Sequence, residues 1–239
     1  MVIQLWSVGS PNVLKILIAL EELELPYELR PVDVLMNEQY RPEFEALTPN
    51  RKVPVIHDPE GPDGKPLTLW ESGAILLYLS EKTGGRLIPT RAADRHIMMQ
   101  WLMFQMSGIG PMFGQFAHFS FYAPDAAHAY SRSRYGTEVK RIYDVVERRL
   151  SESPYLAGDD YSIADIAAWP WLRNYKMRDV TAQDVPHVAR WVKTIRQRPA
   201  VEKATTPFDA RKGFDIDAFA REHPDKLDRY LGRGDYARA

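Results

Sequence analysis

No cysteine occurs anywhere in the 239 residues, which excludes disulfide staples, thiolate metal sites and a cysteine nucleophile. Any thiol chemistry has to use a thiol brought in by a ligand. Histidine is also sparse: the six residues, at 57, 96, 118, 128, 187 and 223, show neither His-x-x-x-His nor His-Glu-x-x-His spacing, so no metal site is expected. Neither sign of charge dominates, with 31 basic against 32 acidic side chains and a formal net charge of −1. That balance supplies no long-range attraction to nucleic acid or to an anionic membrane. No apolar run approaches the roughly 18 residues of a membrane span, and the N-terminus lacks a basic stretch leading into an apolar one. The expectation is a cytoplasmic protein with no nucleic-acid and no membrane partner.

What is present is the composition of a globular chain, 45% hydrophobic and 26% charged, long enough for two modest domains. Val2 to Trp6 reads as a strand, Ser10 stands where an N-cap belongs, and Pro11 takes the first helical position. Leu14, Leu17, Ile18, Leu20 and Leu23 continue a helix that closes before Pro26, and Tyr27 to Val34 reads as a second strand, parallel to the first. A weak helix follows over 37–47. Val53 to His57 and Leu67 to Trp70 flank a turn-rich loop, as in an antiparallel hairpin, and Glu71 to Lys82 forms a helix stopped by Thr83-Gly84-Gly85. Its apolar side is read through Ala74, Leu77, Tyr78 and Ser80-Glu81. Two helix starts, Ser10-Pro11-Asn12 and Trp70-Glu71-Ser72-Gly73, thus gather free backbone N–H groups and positive dipole ends. With Lys52-Val53-Pro54 between them, they point to a small anionic peptide as ligand.

After residue 91 strand signals cease. Long helical patterns run from Ala92 to Phe121, Asp125 to Ser151, Ser162 to Met177 and Val185 to Arg198. Ser162-Ile163-Ala164-Asp165 has a capping-box layout, read as helix initiation rather than catalysis. The expected division is a domain over 1–84, a linker over 85–91, a helical domain over 92–206 and a polar tail over 207–239. The tail carries one short helix near Asp217 to Arg221. Its Phe214, Ile216, Phe219, Tyr230, Leu231 and Tyr236 are too apolar for a fully solvated extension, so part of it should pack as a clamp or as a lid over the site.

Ser10-Pro11-Asn12, Lys52-Val53-Pro54, Glu71-Ser72-Gly73-Ala74-Ile75 and Ser162-Ile163-Ala164-Asp165-Ile166 occur in the order found in cytosolic glutathione transferases, and the resemblance covers roughly residues 2 to 200. Tyr40-Arg41-Pro42-Glu43-Phe44, Trp70 through Leu76, and Gln100-Trp101-Leu102 through Gly110-Pro111-Met112-Phe113-Gly114-Gln115 resemble the bacterial Nu class and the related fungal nitrogen-regulator-like proteins. The resemblance implies an N-terminal thioredoxin-like domain (βαβ then ββα) followed by an all-helical C-terminal domain. It also implies a homodimer with glutathione as cosubstrate.

It further implies roles. Pro54 would be cis, presenting the Val53 backbone to the cysteinyl unit, although an ordinary edge-strand proline reads the same way. Ser72, as helix cap, would hold the γ-glutamyl carboxylate and Glu71 the α-ammonium. Lys52 and Gln39 would contact the glycyl end, and Arg134 would reach in from the opposite subunit, unless it is only a solvated helix charge. Thiolate stabilisation would fall to Asn12 and Ser10 at the dipole end of the first helix, with Ser7 as a competing serine. Serine replaces the threonine usual before Pro-Asn in the Nu class, which favours Asn12.

Reduction of small disulfides with two glutathiones is the activity implied. Conjugation or ether and thioether cleavage of an aromatic electrophile remains open, as does non-catalytic glutathione binding in a regulatory role. The Met- and aromatic-rich stretch from Met98 to Tyr122 would wall an apolar pocket or, more in keeping with its spacing, fill the core.

Overall fold

The computed structural model describes residues 2–122, 128–178, 180–210 and 215–232. Strand β1 (Ile3–Ser7) leads through helix α1 (Pro11–Glu22) to β2 (Tyr27–Pro31), and β1 and β2 pair in parallel with Leu5 opposite Leu29. A 3₁₀ turn (Glu38–Tyr40) and the one-turn α2 (Pro42–Glu45) replace the weak helix expected over 37–47. β3 (Val55–Asp58) and β4 (Leu67–Trp70) form the antiparallel hairpin, and the sheet order is β2-β1-β3-β4. Helix α3 (Ser72–Lys82) completes this thioredoxin-like unit. It buries Ile75, Leu76 and Leu79 rather than the Ala74 and Leu77 side. The difference is one of phase: α3 lies between the sheet and a second set of helices, so the stripe facing both is the one removed from water.

The remainder is helical: α4 (Ala92–Phe104), α5 (Gly110–Ala117), α6 (His128–Glu152), α7 (Ile163–Leu172), α8 (Pro186–Arg196), α9 (Pro199–Asp209), α10 (Ile216–Glu222) and α11 (Pro224–Leu231). The continuous helix expected from 92 to 121 is interrupted by wide π turns at Gln105–Ile109 and His118–Tyr122. The physical cause of the first is Pro111, which has no N–H to bond the carbonyl of Ser107 and whose ring crowds it. The Asp125 start expected for the next helix lies outside the described residues. Helix α9 closes the expected helical domain past the last helix read there, and α11 lies in the expected tail beyond its one expected short helix; each is entered through a proline in its first turn, and α9 runs on through Pro207.

One apolar core joins the two halves. Leu14, Ile18 and Leu20 of α1, Ile75 and Leu79 of α3, and Trp169, Trp191 and Val201 from the helical half belong to a single buried cluster. The seam is also pinned by ions: Arg198 makes a two-pronged bridge to Glu22, at 2.5 and 2.8 Å, and Lys203 reaches Glu21 at 2.6 Å. Of the Met- and aromatic-rich stretch, Met98, Trp101, Phe113 and Phe116 are core, whereas Met106, Phe119 and Tyr122 line a cleft.

Candidate active site

The cleft is organised around the start of α1. Ser10 is extended (φ −131°, ψ 151°) and its Oγ accepts from the Val13 N–H at 3.3 Å, which leaves its own proton to donate. Asn12, in the first turn, accepts at Oδ1 from the indole N–H of Trp171 on α7, at 3.1 Å. Because the carboxamide oxygen is taken by a donor, the amide nitrogen is the end left for a group in the cleft. Four adjoining cavities, of about 470, 330, 240 and 520 Å³, surround this point, and Asn12 lines all of them. Ser7, the competing serine, ends β1 in the core at 8% exposure and is not among the lining residues.

Each of the other expected residues but one comes to this cleft. The first cavity is lined by Ser10, Gln39, Lys52 and Val53, and the second by Lys52, Val53, Pro54, Glu71 and Ser72. The Val53–Pro54 peptide is cis. Gln39 is buried, and its Oε1 has no hydrogen-bond partner among the described residues. Arg134 is the exception: it is exposed on α6, where its charge acts on Glu138, and is not among the lining residues.

Ser72 differs in its local chemistry from the expectation. The N-cap position of α3 belongs to Glu71, whose left-handed backbone (φ 73°, ψ 112°) is uncommon for a residue with a Cβ and turns the chain sharply out of β4. The Glu71 carboxylate accepts from the Asn50 amide at 3.3 Å. Ser72 is the first helical residue, and instead of capping, its Oγ accepts from the Lys15 ammonium at 3.2 Å. The first bond within α3 runs from the Ile75 N–H to the Glu71 carbonyl, so the N–H groups of Ser72, Gly73 and Ala74 have no partner inside the helix.

Residues overlooked by the sequence reading complete the surroundings. Lys15, 1% exposed, also donates to Gln105 Oε1 at 2.7 Å. Burial pushes its ammonium down to about 7, opposed by the charge of Glu71. The available signal was a single lysine inside the apolar run from Val13 to Leu20. Gln105 reaches Lys15 because the π turn widens the backbone there, a displacement no periodicity reports. Across the mouth lies α11, whose Tyr230 lines the first and fourth cavities and whose Leu231 lines the fourth. The hydroxyl of Tyr40 donates to the Arg229 carbonyl at 3.3 Å, and the Tyr40 ring carries Arg229 and Arg51 at 5.4 and 5.5 Å from its centre. Of the apolar tail residues, Phe214 and Tyr236 lie outside the described residues.

Residues 9–82 match the model of the glutathione S-transferase N-terminal domain and residues 109–199 that of its C-terminal domain. The chain is 45% identical over 203 residues to the disulfide-bond oxidoreductase YfcG of Escherichia coli, spanning 84% of this chain and 94% of that one. Its fold is similar to a glutathione transferase of Burkholderia graminis crystallised with two glutathione molecules per subunit, with TM-score 0.81, 47% identity, and coverage of 89% and 90% of the two chains. It is likewise similar to a Pseudomonas putida glutathione transferase holding one glutathione disulfide per subunit, with TM-score 0.80, 44% identity, and coverage of 86% and 91%.

Proposed function

Since the chain belongs to the glutathione S-transferase family, we propose that it binds glutathione along the cleft from Gln39 to Ser72 and uses the bound thiolate to reduce small disulfides. The observation that carries this reading is the placing of Asn12. Its amide nitrogen stands at the N-terminus of α1, at the junction between the cavities lined by Lys52, Val53 and Ser72 and the 520 Å³ cavity beyond them. The thiol of glutathione, ordinarily near the roughly 8.5 of a free thiol, would sit against donors and a positive dipole end, which favour the anion. Ser10 contributes a hydroxyl donor to the same group.

In the proposed reaction the glutathione thiolate attacks one sulfur of the disulfide. A new sulfur–sulfur bond forms, the old one breaks, and the departing thiolate takes a proton from solvent. A second glutathione thiolate then attacks the glutathionyl sulfur of the mixed disulfide, releasing the second thiol and glutathione disulfide. Two glutathiones are oxidised for each disulfide reduced. The outer cavity, with Lys52, Gln115 and His118 among its lining residues, offers polar anchoring to a second peptide. Its Phe119, Tyr122, Trp171 and Tyr230 favour a second reading, transfer of the same thiolate to an apolar electrophile. Purified protein supplied with glutathione is expected to reduce 2-hydroxyethyl disulfide well above the uncatalysed rate and to outpace its own activity on chloronitrobenzene. Turnover of the aromatic alone would reverse the choice, and turnover of neither would leave a glutathione-binding protein without catalysis.

We further infer a homodimer in which Arg134 serves the neighbouring site, because it is exposed and stands apart from the cleft of its own chain. Mixing Arg134→Ala subunits with Asn12→Ala subunits should then restore part of the activity, since one of the two hybrid sites is intact. A monomeric mass in sedimentation would remove the idea.

A further inference from the structure

Lys15 and Gln105 form a buried polar pair beneath the start of α3, and the thiolate chemistry leaves them without a role. Their surroundings are one-sided. Gln105 is fully buried; its oxygen accepts from Lys15, and its Nε2 has no partner among the described residues. The Ser72 hydroxyl accepts from Lys15, and α3 adds the N–H groups of Ser72, Gly73 and Ala74, which have no partner inside the helix. Lys15, Gln105 and Ser72 line the same 240 Å³ cavity, which Asn12 and Trp171 also border. Donors therefore predominate; the Glu71 carboxylate also lines the cavity and its charge acts on Lys15, but among the described residues no carboxylate makes an ion pair with the ammonium.

The packing holds this arrangement closely. A Cβ on Gly73 would come within 3.1 Å of the Met106 side chain, and one on Gly110 within 3.1 Å of Gln105 Nε2. The start of α3 and the π turn are thus in near contact, with Lys15 between them. The cavity around it is lined by Glu71 at the N-cap of α3, Ser72 of α3, Asn12 of α1, Gln105 and Met106 of the π turn, Gly110 and Pro111 of α5, and Trp171 of α7. Of these only Glu71 is charged. The acids farther along α1, Glu21 and Glu22, are engaged by Lys203 and Arg198 of the helical half.

A buried cation without a counter-ion is costly, and an anion placed beside it removes that cost. We propose that Lys15, positioned by Gln105, is the counter-ion for the γ-glutamyl α-carboxylate of glutathione, so that the ligand itself completes a buried ion pair. This rests on the glutathione reading above and adds to it a proton: the free protein holds Lys15 partly neutral, and the bound peptide brings it to the ammonium form. Lys15 is here a binding residue for the end of the peptide remote from the sulfur.

S-methylglutathione separates this from the thiol chemistry, because it has no proton to lose at sulfur. Calorimetric titration of the wild-type protein at pH 8, in two buffers of different ionisation enthalpy, should show net proton uptake, since burial holds the Lys15 ammonium down to about 7 in the free protein. Lys15→Met should abolish the uptake and weaken binding about tenfold or more, the loss expected of a buried charge-assisted contact. It should discriminate far less against the analogue whose γ-glutamyl unit is replaced by 4-aminobutanoyl, which lacks the carboxylate. Gln105→Glu, nearly isosteric, supplies an internal counter-ion and should also suppress the uptake. Binding by the wild type without proton uptake, or an equal loss for both ligands in Lys15→Met, overturns the proposal while leaving the glutathione site standing. No binding of S-methylglutathione overturns both.

Discussion

Asp165→Ala is expected to cost about 3–5 kcal/mol of folding stability, in the range seen when a buried charged acceptor is removed from its donors. The side chain is fully buried at the start of α7. Its Oδ1 accepts from the Leu156 N–H at 3.0 Å and the Trp191 indole at 2.9 Å, and its Oδ2 from the Ser162 N–H and hydroxyl at 3.1 and 3.2 Å. Alanine would strand four donors from three separate segments. Burial lifts the carboxyl to about 6 against the pull of those donors. The folded value thus lies above the ordinary 3.8, so the folded chain binds the extra proton. The associated stabilisation is complete below 3.8 and lost as pH rises through about 6. Thermal melts should therefore show the gap between wild type and Asp165→Ala narrowing from pH 4 to pH 7. A gap below 1 kcal/mol throughout would show that the cap is dispensable.

Asn12→Ala should lower kcat/KM by about 10- to 100-fold while weakening glutathione binding far less, because the amide is proposed to act on the charge at sulfur. The direct readout is the thiolate absorbance of the bound peptide against pH, which should shift toward higher pH in the variant. Trp171→Phe keeps Asn12 but removes the donor that orients it, and should reproduce part of the same shift. Thiolate titration unchanged in Asn12→Ala would assign the stabilisation to Ser10 and the helix end.

The thioredoxin-like half was legible because its signals are local. Ser10 and Pro11 mark one helix start, Gly84 and Gly85 (φ 76° and 83°) mark one helix end, and a proline-rich loop separates the hairpin strands. The capping box at Ser162 was legible for the same reason, and its two reciprocal bonds are both made. What escaped depends on distant partners. Asn12 and Trp171 are 159 positions apart, and Lys15 and Gln105 are 90. Nothing in either neighbourhood announces the other. Ser72 was readable as a residue of the second helix start, where it lines the cleft, but not as an acceptor for lysine. Helices α9 and α11 were hidden by their prolines, which punctuate a sequence even where the fold uses them to begin a helix.

Helix α11 lies beyond residue 199, where the match to the family's C-terminal domain stops. It nevertheless supplies Tyr230 and Leu231 to the outer cavity and docks on Tyr40 of the other half. Part of the wall of the cleft therefore comes from a segment outside the family match, while most of the rest comes from inside it. Substitutions in that segment would alter the wall at Tyr230 and Leu231, in the outer cavity and, through Tyr230, in the first cavity that Ser10, Gln39 and Lys52 also line. On the proposed function, exchanging that segment between relatives should change which partner for sulfur is preferred, so kinship across the first two hundred residues leaves part of the wall of the outer cavity unspecified.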